Sequence, residues 1–345
     1  MGSKRVVAGI VVGLMLLISV AVFVQPGVAA EPKYHWRMSE IHPVGSDFDL
    51  RAREFAKKIY ERTHGKIKID VYSGGVLGDW TEIFEMVMRG TVEVALQMAN
   101  ANFDPKLNLA YYFPYIFTNF DEATKVYSPS GWAYKIIQKL WEKHNIKALD
   151  IIPVGMAGLS LKSLPKGYDD PKVKKGMKVR VMPIKPCEWT YEALGYIPTP
   201  IPYSEVYTAL QMGVVDGQMG GPPFQGWQFR DVQKVWIQYN DYCETWWFVI
   251  NKGIWDKLSP EDQKIIMEAA HEESKIQWAK AKQLDEEYRQ KLKKEYGWTI
   301  ITFNEDQMNK IANYVRKIVW PKMEKLVGKE LMDLIYKESG VPRPQ

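Results

Sequence analysis

A thirteen-residue segment occurs twice in this chain, 123 positions apart. Thr81-Glu82-Ile83-Phe84-Glu85-Met86-Val87-Met88-Arg89-Gly90-Thr91-Val92-Glu93 aligns without a gap on Ser204-Glu205-Val206-Tyr207-Thr208-Ala209-Leu210-Gln211-Met212-Gly213-Val214-Val215-Asp216. Each copy opens on a hydroxyl side chain able to accept from the free N–H groups of a first helical turn. A Glu comes next, where the positive end of a helix favours it. An amphipathic helix follows, and Gly90 or Gly213 stands where a left-handed residue would stop it. A β-branched stretch ending in an acid then reads as a strand. One helix–glycine–strand unit built twice implies two similar lobes with a cleft between them.

The N-terminus indicates where such a cleft would work. Lys4 and Arg5 precede an apolar run from Val6 to Val24, and Val28-Ala29-Ala30 supplies small residues for cleavage before Glu31. That is the layout of a cleaved secretory signal over residues 1–30, so the mature chain is expected to be exported to the periplasm. No Cys lies near the cleavage site, which argues against a lipid anchor. Cys187 and Cys243 are the only two cysteines, and free thiols are the simpler expectation. Removing Lys4 and Arg5 lowers the formal charge from +5 to +3, with both signs interspersed and no basic block. A nucleic-acid partner is therefore not indicated, and a small positive excess is compatible with anionic ligands.

Along the mature chain, Tyr34 to Met38 reads as a strand, Ser46 to Thr63 as an amphipathic helix, and alternating Ile67, Ile69 and Val71 as a half-buried strand. With the first repeat copy this gives β-α-β-α-β. The aromatic stretch Tyr111 to Phe117 reads as core and hinge packing, and Gly131 to His144 as a helix. A strand near Ala148 to Pro153 leads to Gly155-Met156-Ala157-Gly158, a crossing into the second lobe, with Lys178 to Val181 as a strand there. Residues from Pro260 to about Tyr296 contain no internal Gly or Pro, and a helix of that length would span both lobes. Catalytic patterns are missing: the five histidines are scattered, and there is no Gly-x-Ser-x-Gly, Cys-x-x-Cys or Walker-type motif.

Gly65-Lys66-Ile67-Lys68-Ile69, Leu77-Gly78-Asp79, Lys175 through Val181, and Ser204 through Gln211 with Asp216-Gly217-Gln218 resemble the solute-binding proteins of tripartite ATP-independent periplasmic (TRAP) transporters. The resemblance covers almost all of the mature chain. It implies an α/β, two-lobed periplasmic-binding-protein fold with a ligand cleft between the lobes and a long helix spanning both. It also implies capture of an organic anion for delivery to a membrane permease, with no catalysis and no cofactor. The lobes are expected at 31–156 with 246–285, and at 157–245 with 286–345, in a monomer. A sensory ligand-binding partner without a transport role is the alternative of another class.

Within that resemblance, Arg180 receives the ligand's carboxylate. A planar guanidinium suits a two-oxygen anion, whereas the pattern alone would make Lys178 and Arg180 an exposed strand face. The chain departs from the sialic-acid type at Ser160, where a second arginine is usual, and at Met219-Gly220, where Glu-Asn often follows Asp-Gly-Gln. A sialic acid becomes a poor candidate. Met219-Gly220 also lacks the carboxylate by which the 2-oxo-acid branch holds a metal, so no metal is expected. Trp80 and Tyr203, each just before the repeat, are placed to approach one ligand from two sides. Met98, Met182-Pro183, Asn100 and Asn102 follow strand ends, where ligands of open α/β sheets collect. Trp246 and Trp247 read as hinge packing. The expected ligand is a small organic acid with an apolar or aromatic body, the rival being a small hydroxy- or dicarboxylate.

Overall fold

The computed structural model describes residues 31–343, so the expected signal segment lies outside the described residues. Eleven strands form two sheets among them: β1 (Tyr34–Ser39), β2 (Ile67–Tyr72), β3 (Val94–Gln97), β4 (Ile146–Met156), β5 (Leu159–Leu161), β6 (Lys178–Val181), β7 (Ile197–Pro200), β8 (Gly217–Met219), β9 (Val235–Ile237), β10 (Cys243–Asn251) and β11 (Thr299–Ile301). The first sheet runs β2-β1-β3-β10-β4 and the second β11-β9-β5-β8-β6-β7. Read from one edge, β2-β1-β3 and β7-β6-β8 are the same arrangement, three parallel strands flanked by an antiparallel fourth. The fold is a two-lobed α/β architecture.

The repeat occupies equivalent places in the two lobes, immediately before β3 and β8. Gly90 and Gly213 both adopt positive φ, 77° and 73°. In each copy the next residue folds its N–H back across the helix end, Thr91 to the Met86 carbonyl and Val214 to the Ala209 carbonyl, both at 2.9 Å. The β-branched pairs are not strand: they sit in the turn, with Val92 and Val215 fully buried, and the strands begin one residue after the acid. The acids have a backbone task instead. The Glu93 carboxylate accepts the Arg37 N–H at 2.7 Å, and that of Asp216 accepts the Lys178 N–H at 2.8 Å. Each thereby ties the repeat to the strand beside it.

The expected hydroxyl caps are corrected. In the first copy the cap is Asp79, whose carboxylate accepts from Thr81 N at 2.8 Å and Glu82 N at 3.2 Å, while Glu82 returns a bond to Asp79 N. Trp80 is thus the first residue of helix Trp80–Arg89. Pro202 holds the corresponding place in the second copy and offers no acceptor. That helix starts as a 3₁₀ turn, Tyr203–Glu205, and continues only over Val206–Gln211 without a side-chain cap.

Two short crossings join the sheets: β4 passes into β5 through Ala157-Gly158, and β9 returns to β10 through residues 238–242. β10 starts at Cys243, and Trp246 pairs with Ile152. Helix Pro260–Tyr296, capped by Ser259 and stopped by a left-handed Gly297, spans both crossings. Ser274 donates to the Ile151 carbonyl at 2.6 Å, Asp285 accepts from Met156 N at 2.9 Å, and Arg289 donates to Gln238 at 2.8 Å. Cys187 and Cys243 are buried free thiols.

Candidate functional site

The strands β6 and β8 end beside each other, and Arg180 lies one residue before the end of β6. Its side chain is buried, only 3% of the residue being exposed, rather than lying on a solvated strand face. Its Nε donates to the Ile201 carbonyl at 2.8 Å and its Nη1 to the Met219 carbonyl at 3.3 Å. These two carbonyls aim the guanidinium but do not neutralise it, and it belongs to no ion pair among the described residues. Burial lowers its pKa from the usual arginine value, with the neighbouring phenols of Tyr111, Tyr242 and Tyr203 among the groups acting on it. A buried cation without a counter-ion is costly, so its retention points to an anion supplied from outside.

The groups around it converge on the glycine pair that follows β8. A Cβ on Gly220 would lie 3.7 Å from Arg180 Nη1, 3.7 Å from Gln218 Oε1 and 3.6 Å from Gln225 Oε1. Gln218 is fully buried and both of its amide atoms lack a partner. On the other side, Gly221 stands at φ 58°, and a Cβ there would lie 2.6 Å from Glu244 Oε2, so only glycine admits this close approach. Glu244 accepts from Gln225 Nε2 at 3.0 Å and from Trp246 Nε1 at 3.5 Å. Burial raises its pKa above the ordinary glutamate value. The Trp246 ring meets His42 edge-on at 4.7 Å, His42 stacks on Phe48 at 4.2 Å, and His42 also pairs with Glu40. Buried Glu40 Oε2 and Ser39 Oγ have no partner.

An aromatic wall completes the cluster. Tyr203 is 49% exposed, its ring centroid lies 5.7 Å from the Arg180 guanidinium carbon, and its hydroxyl donates to Gln228 at 2.9 Å. Trp80 is half-buried, with its ring 5.9 Å from that of Tyr111, and the Tyr111 hydroxyl reaches the Met182 sulfur at 3.1 Å. Met98 is buried after β3, and Gln97 Nε2 bonds the Trp80 and Met98 carbonyls. Two expected contacts are not part of this cluster. Asn102 is an exposed turn residue and Pro183 is also exposed, whereas Asn100 is buried with its side-chain oxygen accepting the Phe103 N–H at 3.2 Å. Ser160 is fully buried in β5 and its hydroxyl meets the Gln218 carbonyl at 3.5 Å, a support beneath β8.

Residues 38–325 match the DctP family of bacterial extracellular solute-binding proteins, family 7. The chain belongs to this family. Among solved structures, it is similar to a TRAP periplasmic solute-binding protein from Haemophilus influenzae with bound L-gulonate. That likeness has a TM-score of 0.77 at 26% identity and covers 90% of this chain and 100% of the other. A TRAP periplasmic solute-binding protein from Ochrobactrum anthropi shares the fold with a TM-score of 0.80 at 24% identity, over 90% and 95% of the two chains. The ectoine-binding periplasmic protein TeaA of Halomonas elongata is 25% identical over 321 residues, covering 87% of this chain and 88% of its own. The resemblance read from the motifs is thereby established for this solute-binding protein.

Several groups in the cluster escaped sequence reasoning: Glu244, Gln225, Gln218, Tyr111, and the Glu40 and His42 pair. For Glu244 a signal was present. Every residue of β10, Cys-Glu-Thr-Trp-Trp-Phe-Val-Ile-Asn, is buried, and an acid in such a strand needs a reason. Trp246, read as hinge packing, borders the cluster through Glu244 and His42. Trp247 is fully buried against Tyr134 and Trp141 and belongs to the core.

Proposed function

We propose that this solute-binding protein is the extracytoplasmic receptor of a TRAP transporter, which seats the carboxylate of a small organic acid on Arg180 and hands the ligand to a membrane permease. The observation that carries this is the buried, counter-ion-free guanidinium at the carboxyl ends of parallel strands. A carboxylate can take its two outward N–H donors in parallel, and a water-poor cleft strengthens that bond. The apolar body of the ligand would lie against Trp80, Tyr203, Tyr111, Met98 and Gly220. The lobes, 31–156 with 246–285 and 157–245 with 286–345, would close about the two crossings, since contacts from both sides form only in the closed state. The protein is exported to the periplasm with removal of residues 1–30, acts as a monomer and returns its ligand unchanged. Melting in the presence of a panel of organic acids and their neutral amides tests this. Acids alone should raise the melting temperature, and stabilisation by an amide equal to that by its acid would count against Arg180 as an anion seat.

Trp80 carries the expectation of an apolar or aromatic ligand body. Trp80→Ala is expected to weaken binding by about 1–3 kcal/mol, the scale of one large ring removed from a contact. Because Trp80 is only half-buried, the stability cost should be well below that of replacing fully buried Trp141, for which about 3–5 kcal/mol is usual. Calorimetry and melting of the two variants side by side separate these effects. A Trp80→Ala protein that melts as early as the Trp141→Ala protein yet binds normally would make the ring core and remove it from the site.

A further inference from the structure

Gln218 stands in the middle of β8 with both atoms of its amide buried and without a partner, which holds for no other glutamine among the described residues. Buried Gln97, Gln233 and Gln238 each place the amide nitrogen on a carbonyl. An amide left unpaired in the interior costs the fold free energy that an apolar side chain at the same place would not. Gln218 pairs with Arg180 on β6 and with Ser160 on β5, so the three side chains leave the sheet on one face and Gln218 stands directly beside Arg180. Its Oε1 and the Arg180 Nη1 lie equally far, 3.7 Å, from the place of a Cβ on Gly220, and the third atom bordering that space is Gln225 Oε1 at 3.6 Å. Gln225 is tied to Glu244 through its nitrogen at 3.0 Å, whereas no hydrogen bond holds either end of Gln218.

We propose that Gln218 is a second ligand-binding residue of the anion seat, its amide nitrogen donating to the carboxylate that Arg180 holds. The inference rests on the organic-acid reading above and adds a residue to its site. A desolvated carboxylate offers about four lone-pair positions, more than the parallel donors of one guanidinium fill. A second cation would meet that need but leave an uncompensated positive charge in the cleft. A neutral amide supplies the hydrogen bond without the charge. Because no partner fixes the amide, half a turn about its last bond brings the nitrogen to the place now taken by the oxygen, beside Arg180. The ligand-free protein then gains nothing from this amide, and the bound anion gains a donor.

Two variants test this by melting and titration calorimetry, with benzoate, phenylacetate, 3-phenylpropanoate, succinate and L-lactate as probes. Gln218→Met keeps the length of the side chain and removes both amide atoms. Without ligand it should melt no earlier than wild type, while its affinity for the probe that wild type binds most tightly falls about tenfold or more. Gln218→Glu sets a carboxylate beside Arg180, which should take the guanidinium as an internal partner and lower that affinity about a hundredfold or more. A Gln218→Met protein that melts earlier than wild type would make the amide a structural group, and one that binds the probe within about threefold of wild type would make it idle. Either result overturns the inference, as does a Gln218→Glu protein that binds as wild type does; where Gln218→Glu fails to fold, Gln218→Met decides alone. The organic-acid reading fails separately. Probes that lose affinity in Arg180→Ala but not in Gln218→Met leave that reading intact while the role of Gln218 falls. Binding that survives Arg180→Ala, or no binding by any probe, removes both.

Discussion

Replacing Arg180 by Ala is expected to remove about 2–5 kcal/mol of ligand binding, a loss of tens- to thousands-fold in affinity, while the protein stays folded. Most of that loss comes from leaving the ligand's carboxylate desolvated and unpaired. The fold should tolerate the change because the guanidinium is a burden on the empty protein. It is buried with only the Ile201 and Met219 carbonyls as partners, so its removal deletes an unpaired charge along with two hydrogen bonds. Arg180→Lys should also bind poorly, since an ammonium keeps the charge but loses the fork of parallel donors. Titration calorimetry on both variants is the check. Near-native affinity in a folded Arg180→Ala protein would end the assignment.

The stability of the protein is expected to fall as the pH rises from about 5 to 8. Asp241 lies in the crossing from β9 to β10, fully buried, accepting from the Tyr112 hydroxyl at 2.7 Å. Asp285 lies under the other crossing, on the long helix. Burial pushes both carboxyls up to about 7 from an ordinary 3.8. A raised folded-state value means that the folded protein holds its proton where the unfolded chain has lost it. The stabilisation is complete below about 3.8 and is lost as pH rises through about 7, on the order of 2–4 kcal/mol for each group. His271, raised by its partner Asp150, acts in the same direction. On the acid side Glu272, held down to about 2 by Arg62 and Lys58, withdraws its contribution as pH falls below the ordinary glutamate range. Melting temperature should therefore peak near pH 5 and drop by roughly 5 °C or more by pH 8. Asp241→Asn keeps an acceptor for Tyr112 but cannot ionise, so its profile should be flatter and its melting point at pH 8 higher than wild type. A wild-type profile that climbs steadily from pH 5 to 8 would refute the account of these two carboxyls.

The parts of the fold written in local patterns were legible. Helix Pro260–Tyr296 was readable because Ser259 caps it, Gly297 ends it and nothing between interrupts it. The repeat was legible because two lobes need the same helix stop, and a left-handed Gly90 or Gly213 is the residue that supplies it. What went unread depends on contacts made at a distance. Thr81 matched Ser204 in the alignment, yet the cap is Asp79, and the proline in its place at 202 leaves the second helix uncapped. Glu93 and Asp216 looked like strand ends and instead hold the backbone of a neighbouring strand. Arg180 was found through its motif, since as a strand residue it would have been taken for a solvated one. Glu244 comes 64 positions later in the chain and joins Arg180 only because β10, in the first sheet, begins against the glycine pair that follows β8 in the second. Asn102 and Pro183 show the converse: both follow a strand end, and both point to nothing but solvent exposure.

Mass spectrometry of the small molecule released when the purified protein is denatured tests the central claim most directly. The account predicts a compound of low mass that carries a carboxylate, recovered in near-stoichiometric amount from the wild-type protein and absent from Arg180→Ala. Recovery of a ligand without any acidic group, in equal amount from both proteins, would contradict it.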